Sequence, residues 1–191
     1  MTPEEIRALL EALAEGKISP DQVLARLEDG PLRRDQLTFA TLDHHRHLRQ
    51  GLAEVVYGEG KTLEETLSIA ERLSRPGVPV LLTRLAQDQL DALEGSFPGS
   101  RLNARARTCL LNPPAEAGPR EGIPFVAVVS GGTADLPVAE EAAEVCIAMG
   151  VPVHRIYDVG VAGLHRVVAR LDELRDAAAL VVVAGMEGAL P

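Results

Sequence analysis

The sequence predicts an α/β protein: a helical hairpin at 1–31, a small α/β domain at 32–112, and a parallel-sheet domain at 122–191. Two observations predict the parallel sheet. Short apolar runs alternate with segments of helical spacing, as is typical of β-loop-α units. Each run is also followed by a glycine-bearing loop. Because right-handed crossovers bring the carboxyl ends of parallel strands together, we expect these loops to meet at one edge.

The first two parts are predicted from helix signals and short strands. Two helices are expected between residues 2 and 28, because Gly16 ends one and Ser19-Pro20-Asp21 begins the next. In the small α/β domain we expect helices over 62–73 and around 88–93, a strand over 78–82 and a mostly β-like segment over 102–111. The proline-rich stretch 113–121 then predicts a linker.

Composition excludes several classes of protein. The net charge of −9 argues against binding to DNA or RNA, which requires an excess of Lys and Arg. No apolar run reaches the roughly 18 residues that a membrane span needs, and the first residues have no signal-peptide pattern. We therefore expect a soluble, cytoplasmic protein without membrane or nucleic-acid partners. Aromatic residues make up only 3% of the chain, so the core should be aliphatic.

The most informative segment is the first β-loop-α unit of the parallel sheet. The apolar run 125–129 leads into Ser130-Gly131-Gly132-Thr133-Ala134-Asp135, and a helix is expected over 136–149. Such a turn presents free backbone N–H groups and the positive end of a helix dipole, so it favours a bound phosphate or carboxylate. The alternative is a tight turn without a ligand, in which Asp135 only caps the helix.

Two further units repeat this arrangement. A β-like segment at 151–159 is followed by Gly160-Val161-Ala162-Gly163 and a helical segment at 164–174. The apolar run 179–184 is followed by Gly185-Met186-Glu187-Gly188. Three such loops at one sheet edge favour a ligand site over a simple turn.

Other polar and reactive groups are weaker candidates. Both cysteines, Cys109 and Cys146, are predicted to be structural, with Cys146 on a buried helix face that also contains Val138, Ala142, Val145 and Met149. His44, His45 and His47 are too close in sequence to converge from one regular element, so we predict no metal site. Gly58-Glu59-Gly60-Lys61-Thr62 lacks the glycine spacing of a phosphate loop, and Lys61 remains a candidate anion contact.

Three motifs, at 130–142, 157–166 and 183–191, closely resemble the LarB proteins, and 43–49 with 60–62 is similar to the N-terminal signature of that family. The resemblance implies a C-terminal domain like the PurE-type aminoimidazole ribonucleotide carboxylases. We therefore expect 122–191 to be an incomplete three-layer PurE-like domain, and the chain to be truncated at its C-terminus. A homo-oligomer is implied, an octamer in the full-length form.

The resemblance also implies an activity. LarB proteins carboxylate C5 of the pyridinium ring of nicotinic acid adenine dinucleotide and hydrolyse its phosphoanhydride, releasing AMP, in nickel-pincer cofactor synthesis. Carbon dioxide or bicarbonate is the expected co-substrate, and no covalently bound cofactor is expected. Assistance of the phosphoanhydride step by Mg²⁺ stays open. The ring first needs a nucleophile. In the family this is a cysteine beyond the Gly185–Gly188 loop, which neither Cys109 nor Cys146 matches, so we expect the present chain to be inactive.

Site roles follow from the same resemblance. Asp135 would bind a sugar hydroxyl or transfer a proton, and Glu187 would take the C5 proton, with a pKa raised by burial. The alternatives are a helix cap and a surface turn carboxylate. The first loop would hold a phosphate or ribose. His165 and Arg166, which begin the helix after the second loop, would contact a phosphate, and the alternative for them is a solvated helix face. The expected substrate-binding residues are Ser130, Gly131, Gly132, Thr133, Asp158, Gly160, Gly163, His165, Arg166, Gly185 and Met186.

Two other functions remain open. A PurE-like aminoimidazole ribonucleotide carboxylase or mutase is disfavoured, because PurE-type enzymes have a catalytic histidine where this chain has Ala189. A non-catalytic nucleotide-binding module would have the same loops and would bind without turnover.

Overall fold

The protein is described from a computed structural model, which covers residues 3–29, 34–43, 46, 54–114, 122–185 and 188–191. Most of the predicted linker lies outside these described residues. The chain forms two compact units, Met1–Glu54 and Val55–Pro191. None of the helices in the described ranges is both long enough and apolar enough to cross a membrane.

The first unit contains the predicted helical hairpin. Helix α1 spans Pro3–Ala14 and α2 spans Pro20–Asp29, and the two helices contact each other. A reciprocal pair of hydrogen bonds between Ser19 and Gln22 caps the start of α2. Strands β1 (Arg34–Gln36) and β2 (Thr41–Asp43) then pair in antiparallel fashion.

The second unit begins with a four-stranded mixed sheet in the order β3-β4-β6-β5. Helices α3 and α4 pack on each other, and α4 also contacts β6. The predicted β-like segment 102–111 is in fact two strands joined by a turn at 104–107. The elements are β3 (Val55–Tyr57), α3 (Leu63–Leu73), β4 (Val80–Thr83), α4 (Gln87–Ser96), β5 (Arg101–Asn103) and β6 (Thr108–Leu111).

The three remaining strands form a parallel sheet with β7 in the middle, flanked by β8 and β9. This confirms the predicted α/β class. The predicted helix over 164–174 is divided into two short helices, and Val167 and Leu174 from this region cover one face of the sheet. The elements are β7 (Val126–Ser130), α5 (Leu136–Ala148), β8 (Val153–Ile156), α6 (Leu164–Val168), α7 (Leu171–Asp176) and β9 (Ala179–Val183).

Helix α5 is the layer that the two sheets share, since it contacts β4 and β6 as well as all three strands of the parallel sheet. Its buried face was predicted wrongly. Val138 and Met149 are about half exposed, and Cys146 is only partly buried. The helix instead buries Leu136, Ala139, Ala143, Glu144, Ile147 and Ala148. Because α5 is apolar on nearly every side, its hydrophobic period did not identify this face, whereas the small alanines allow close approach to the strands.

Candidate active site

A cavity of about 570 Å³ lies at the carboxyl edge of the parallel sheet, where all three predicted loops contribute to its wall. A cavity of this size can hold a small-molecule ligand. The described residues that line it are Gly131, Gly132, Asp135, Gly160, Val161, Ala162, Ala184, Gly185, Ala189 and Leu190.

Backbone hydrogen bonds hold the three loops together. The N–H of Gly131 donates to the carbonyl of Val183 at 2.9 Å, and the N–H of Val159 donates to the carbonyl of Ser130 at 3.0 Å. The first two loops also approach each other closely, because a Cβ atom on Gly160 would lie 2.5 Å from the Gly131 carbonyl oxygen. Only glycine fits there without moving the backbone.

Asp135 lies between the first and third loops. Its Oδ2 accepts a hydrogen bond from the N–H of Gly132 at 2.8 Å, and its Oδ1 would be 3.9 Å from a Cβ atom built on Gly185. The carboxylate therefore stabilises the glycine turn that precedes it. The sequence-based alternative was that Asp135 caps the helix that follows, but its side chain makes no such capping hydrogen bond. It also faces the cavity, where it could contact a ligand hydroxyl or accept a proton.

The second loop is held by Ser130 and Arg166. Ser130 is fully buried, and its Oγ accepts a hydrogen bond from the N–H of Asp158 at 3.2 Å. Asp158 has a left-handed backbone with φ of 58°, which aspartate tolerates better than most residues, and its carboxylate pairs with Arg166 at 2.6 Å. Gly163 lies directly against this arginine, since a Cβ atom there would be 2.5 Å from Arg166 Nε.

The predicted site residues thus fall into three groups. Gly131, Gly132, Asp135, Gly160 and Gly185 line the cavity. Ser130, Asp158, Gly163 and Arg166 support the loops behind it, whereas Thr133 and His165 are exposed and outside the described lining. Met186 and Glu187 lie outside the described residues, as do His44, His45 and His47.

Sequence reasoning missed the apolar part of the wall. Val161, Ala162, Ala184 and Leu190 all line the cavity, and each is within two positions of a predicted loop glycine. This proximity to the loop glycines is the only feature of the sequence that could have identified them. Together with the backbone N–H groups and one carboxylate, these side chains can hold a flat, partly apolar ring with polar substituents. Within the described ranges, no group of three or more His, Cys, Asp or Glu side chains could hold a metal ion.

Neither thiol is placed to attack a ligand in this cavity. Cys109 is fully buried in β6, and burial raises the pKa of its thiol to about 11, against the smaller opposing effect of a hydrogen bond with Ser100. Burial also raises the pKa of Cys146 on α5. Both thiols are outside the described cavity lining, and their raised pKa values keep them protonated near neutral pH.

Two comparisons relate the chain to known sequences. Residues 34–113 match the LarB/PurE-like N-terminal domain family. The chain is also 33% identical, over 196 aligned residues, to the uncharacterized protein MJ0165 of Methanocaldococcus jannaschii. That alignment covers 98% of this chain and 75% of the archaeal protein.

Proposed function

The chain belongs to the LarB family, and from that membership we propose that it serves the carboxylation of the pyridinium ring of nicotinic acid adenine dinucleotide, with release of AMP. The family places the chain among relatives of PurE-type carboxylases and mutases. The substrate, the hydrolytic step and the place in nickel-pincer cofactor synthesis are parts of the proposal.

One observation carries the choice between these chemistries. Ala189 lines the cavity at the position where PurE-type enzymes have a catalytic histidine. Without an imidazole there, proton transfer on an aminoimidazole ring loses its usual acid and base. The apolar wall around Val161, Ala184 and Leu190 instead supports a flat pyridinium ring.

The proposed reaction begins with a thiolate, because a pyridinium ring is too electron-poor to attack carbon dioxide. The thiolate adds to the ring and converts it into an enamine, and the enamine carbon C5 attacks carbon dioxide. A base then removes the C5 proton, and loss of the thiolate restores the aromatic ring. We assign the base to Glu187 or Asp135. In LarB proteins this thiolate is a cysteine that follows the glycine loop equivalent to 185–188. We do not assign it to Cys109 or Cys146, because both lie outside the described cavity lining and burial raises the pKa of both thiols.

Calorimetry with the 191-residue chain tests the substrate. Nicotinic acid adenine dinucleotide should bind more tightly than aminoimidazole ribonucleotide. Asp135→Asn should weaken binding of the dinucleotide about tenfold if the carboxylate contacts a ligand hydroxyl. The matched control is Asp172→Asn, which removes a fully exposed carboxylate. Tighter binding of aminoimidazole ribonucleotide would overturn the proposal.

Mass spectrometry with ¹³C-bicarbonate tests the reaction. A chain that includes the family cysteine should form AMP and a pyridinium mononucleotide that carries one labelled carboxylate. The 191-residue chain should bind the dinucleotide without turnover. Conversion of aminoimidazole ribonucleotide by either protein would contradict the proposed chemistry. So would a pyridinium mononucleotide product that carries no ¹³C label.

A further inference from the structure

A second cavity, of about 310 Å³, lies on the four-stranded sheet at the carboxyl ends of β3 and β4. The predicted function does not use it. Three cationic side chains line it, Lys61, Arg84 and Arg107, and they come from three separate loops. The first residues of α3 and the residue preceding α4 also form part of its wall.

Two of these cations are fixed by backbone carbonyls that do not neutralise them. Lys61 Nζ donates to the carbonyl of Tyr57 at 2.8 Å. Arg107 Nε donates to the carbonyl of Leu85 at 2.7 Å, and its Nη2 donates to that of Arg84 at 3.2 Å. Among the described residues neither cation has a carboxylate partner. Each therefore retains its charge and N–H donors for a further acceptor.

The acidic groups of the cavity have other contacts. Glu59 accepts a hydrogen bond from the hydroxyl of Tyr57, and Asp88 accepts one from the N–H of Gln89. Arg84 forms an ion pair with Glu141 of α5, with Nη2 at 2.9 Å from Oε2. The described lining thus carries three cationic side chains and two carboxylates, and Lys61 and Arg107 are the cations in it that have no carboxylate partner among the described residues.

The wall of this cavity is also preformed. Gln89 is only 3% exposed, and its side-chain amide donates to the carbonyl of Lys61 and to Thr66 Oγ1, both at 2.9 Å. Its Oε1 accepts from the N–H of Ala86 at 2.8 Å. Gly58 packs directly against the side chain of Leu85, because a Cβ atom on Gly58 would lie 2.7 Å from Leu85 Cδ2. A ligand would therefore meet cations that are already oriented.

We propose that this cavity is a second anion subsite that takes the phosphate group of a nucleotide. Phosphate oxygens match two fixed cations that have no carboxylate partner among the described residues, and nearby helix starts add favourable dipoles. The volume, at the lower end of small-molecule sites, leaves space for the sugar beside the phosphate. The nucleotide is either the far half of the dinucleotide bound in the first cavity or a separate molecule.

Helix α5 has contacts near both cavities. Arg84 in the second cavity pairs with Glu141 of α5, and Asp135, which lines the first cavity, lies six positions before Glu141. These two positions are about 9 Å apart along the helix axis, so a dinucleotide is tested below as one of the two sources. This source rests on the proposed function, whereas the anion subsite does not.

Calorimetric titration with inorganic phosphate and with AMP tests the subsite. Lys61→Glu and Arg107→Glu should each weaken both affinities by about tenfold or more. Arg105→Glu is the matched control, because it makes the same charge change at an exposed position of the same turn and Arg105 is outside the described lining. Lys61→Met, checked by thermal melting, removes the charge without introducing a carboxylate. Unchanged affinity in all the cavity variants would overturn the proposal.

A third titration, with nicotinic acid adenine dinucleotide, distinguishes the sources. If Lys61→Glu weakens binding of the dinucleotide together with AMP, one ligand spans both cavities. If it weakens AMP and phosphate alone, the subsite takes a separate nucleotide. If a chain that includes the family cysteine fails to convert the dinucleotide, the proposed function is wrong, yet the phosphate and AMP titrations would still decide whether the subsite exists.

Discussion

Arg101 on the edge strand β5 and Glu144 in the middle of α5 form a two-point ion pair, with Nε to Oε2 at 2.9 Å and Nη2 to Oε1 at 3.2 Å. Glu144 is fully buried. Its Oε1 also accepts from Asn103 at 3.2 Å and lies 3.6 Å from a guanidinium nitrogen of Arg155 on β8. One carboxylate therefore links both sheets to the shared helix.

Removing this carboxylate should destabilise the second unit strongly. Glu144→Ala removes the buried carboxylate that Arg101 and Arg155 share, so we expect the free energy of unfolding to fall by about 3–5 kcal/mol. Urea denaturation measures the change. Glu94→Ala is the control, because Glu94 is exposed. Equal effects of the two substitutions would show that the buried network contributes nothing.

The contact between the first two loops of the large cavity gives a second prediction. Gly160→Ala places a Cβ atom 2.5 Å from the Gly131 carbonyl oxygen, so the loops must separate and ligand binding should weaken at least tenfold. Gly95→Ala in helix α4 is the matched control, since a Cβ atom there has no neighbour within 4 Å. This substitution should stabilise the helix by up to about 1 kcal/mol. Calorimetry and thermal melting on both variants separate binding from folding.

Alkaline pH should destabilise the protein through Cys109. The thiol pKa is raised by burial from 9.0 to about 11, so between these pH values the unfolded chain loses a proton that the folded chain keeps. Stability is then fully present below pH 9 and falls by about 2–3 kcal/mol as pH rises to 11. The test is the pH dependence of urea unfolding. Cys109→Ala should reduce that dependence, most clearly between pH 9 and 10, whatever its effect on stability at pH 7. Part of the decrease above pH 10 should remain, because burial also raises the pKa of Tyr157.

Gln89 should be necessary for the shape of the second cavity. Gln89→Leu leaves the N–H of Ala86 and the carbonyl of Lys61 without their buried partner, which should cost about 1–3 kcal/mol of stability. Gln87→Leu, at an exposed position of the same helix, should cost much less. Hydrogen exchange at Ala86 would report the loss directly, and unchanged exchange would argue against this role.

The sequence predicted the parallel sheet and the meeting of its loops well, because each signal was local. The apolar runs that became β7, β8 and β9 each lead into a glycine-bearing turn. The family resemblance is confirmed by the match of residues 34–113 to the LarB/PurE-like N-terminal domain.

What the sequence did not predict depends on long-range contacts. The buried face of α5 is determined by partners such as Arg101, which is 43 residues distant from Glu144. The turn of the hairpin at 101–111 includes Arg107 in a left-handed backbone conformation. Arginine at this position gave no sequence signal for such a turn. The second cavity had a single hint, Lys61, because Arg84 and Arg107 approach it only in the folded chain.

The position of α5 between two sheets has a consequence for how the second unit loses its structure. The middle of a helix that is covered on both sides cannot open independently, since Ala139 and Ala143 have no exposed surface and Ile147 has very little. The amide hydrogens of these middle turns should therefore exchange only when the surrounding second unit opens. The two cavities would then disappear in a single cooperative step, and a ligand that stabilises either one would protect the other from denaturant.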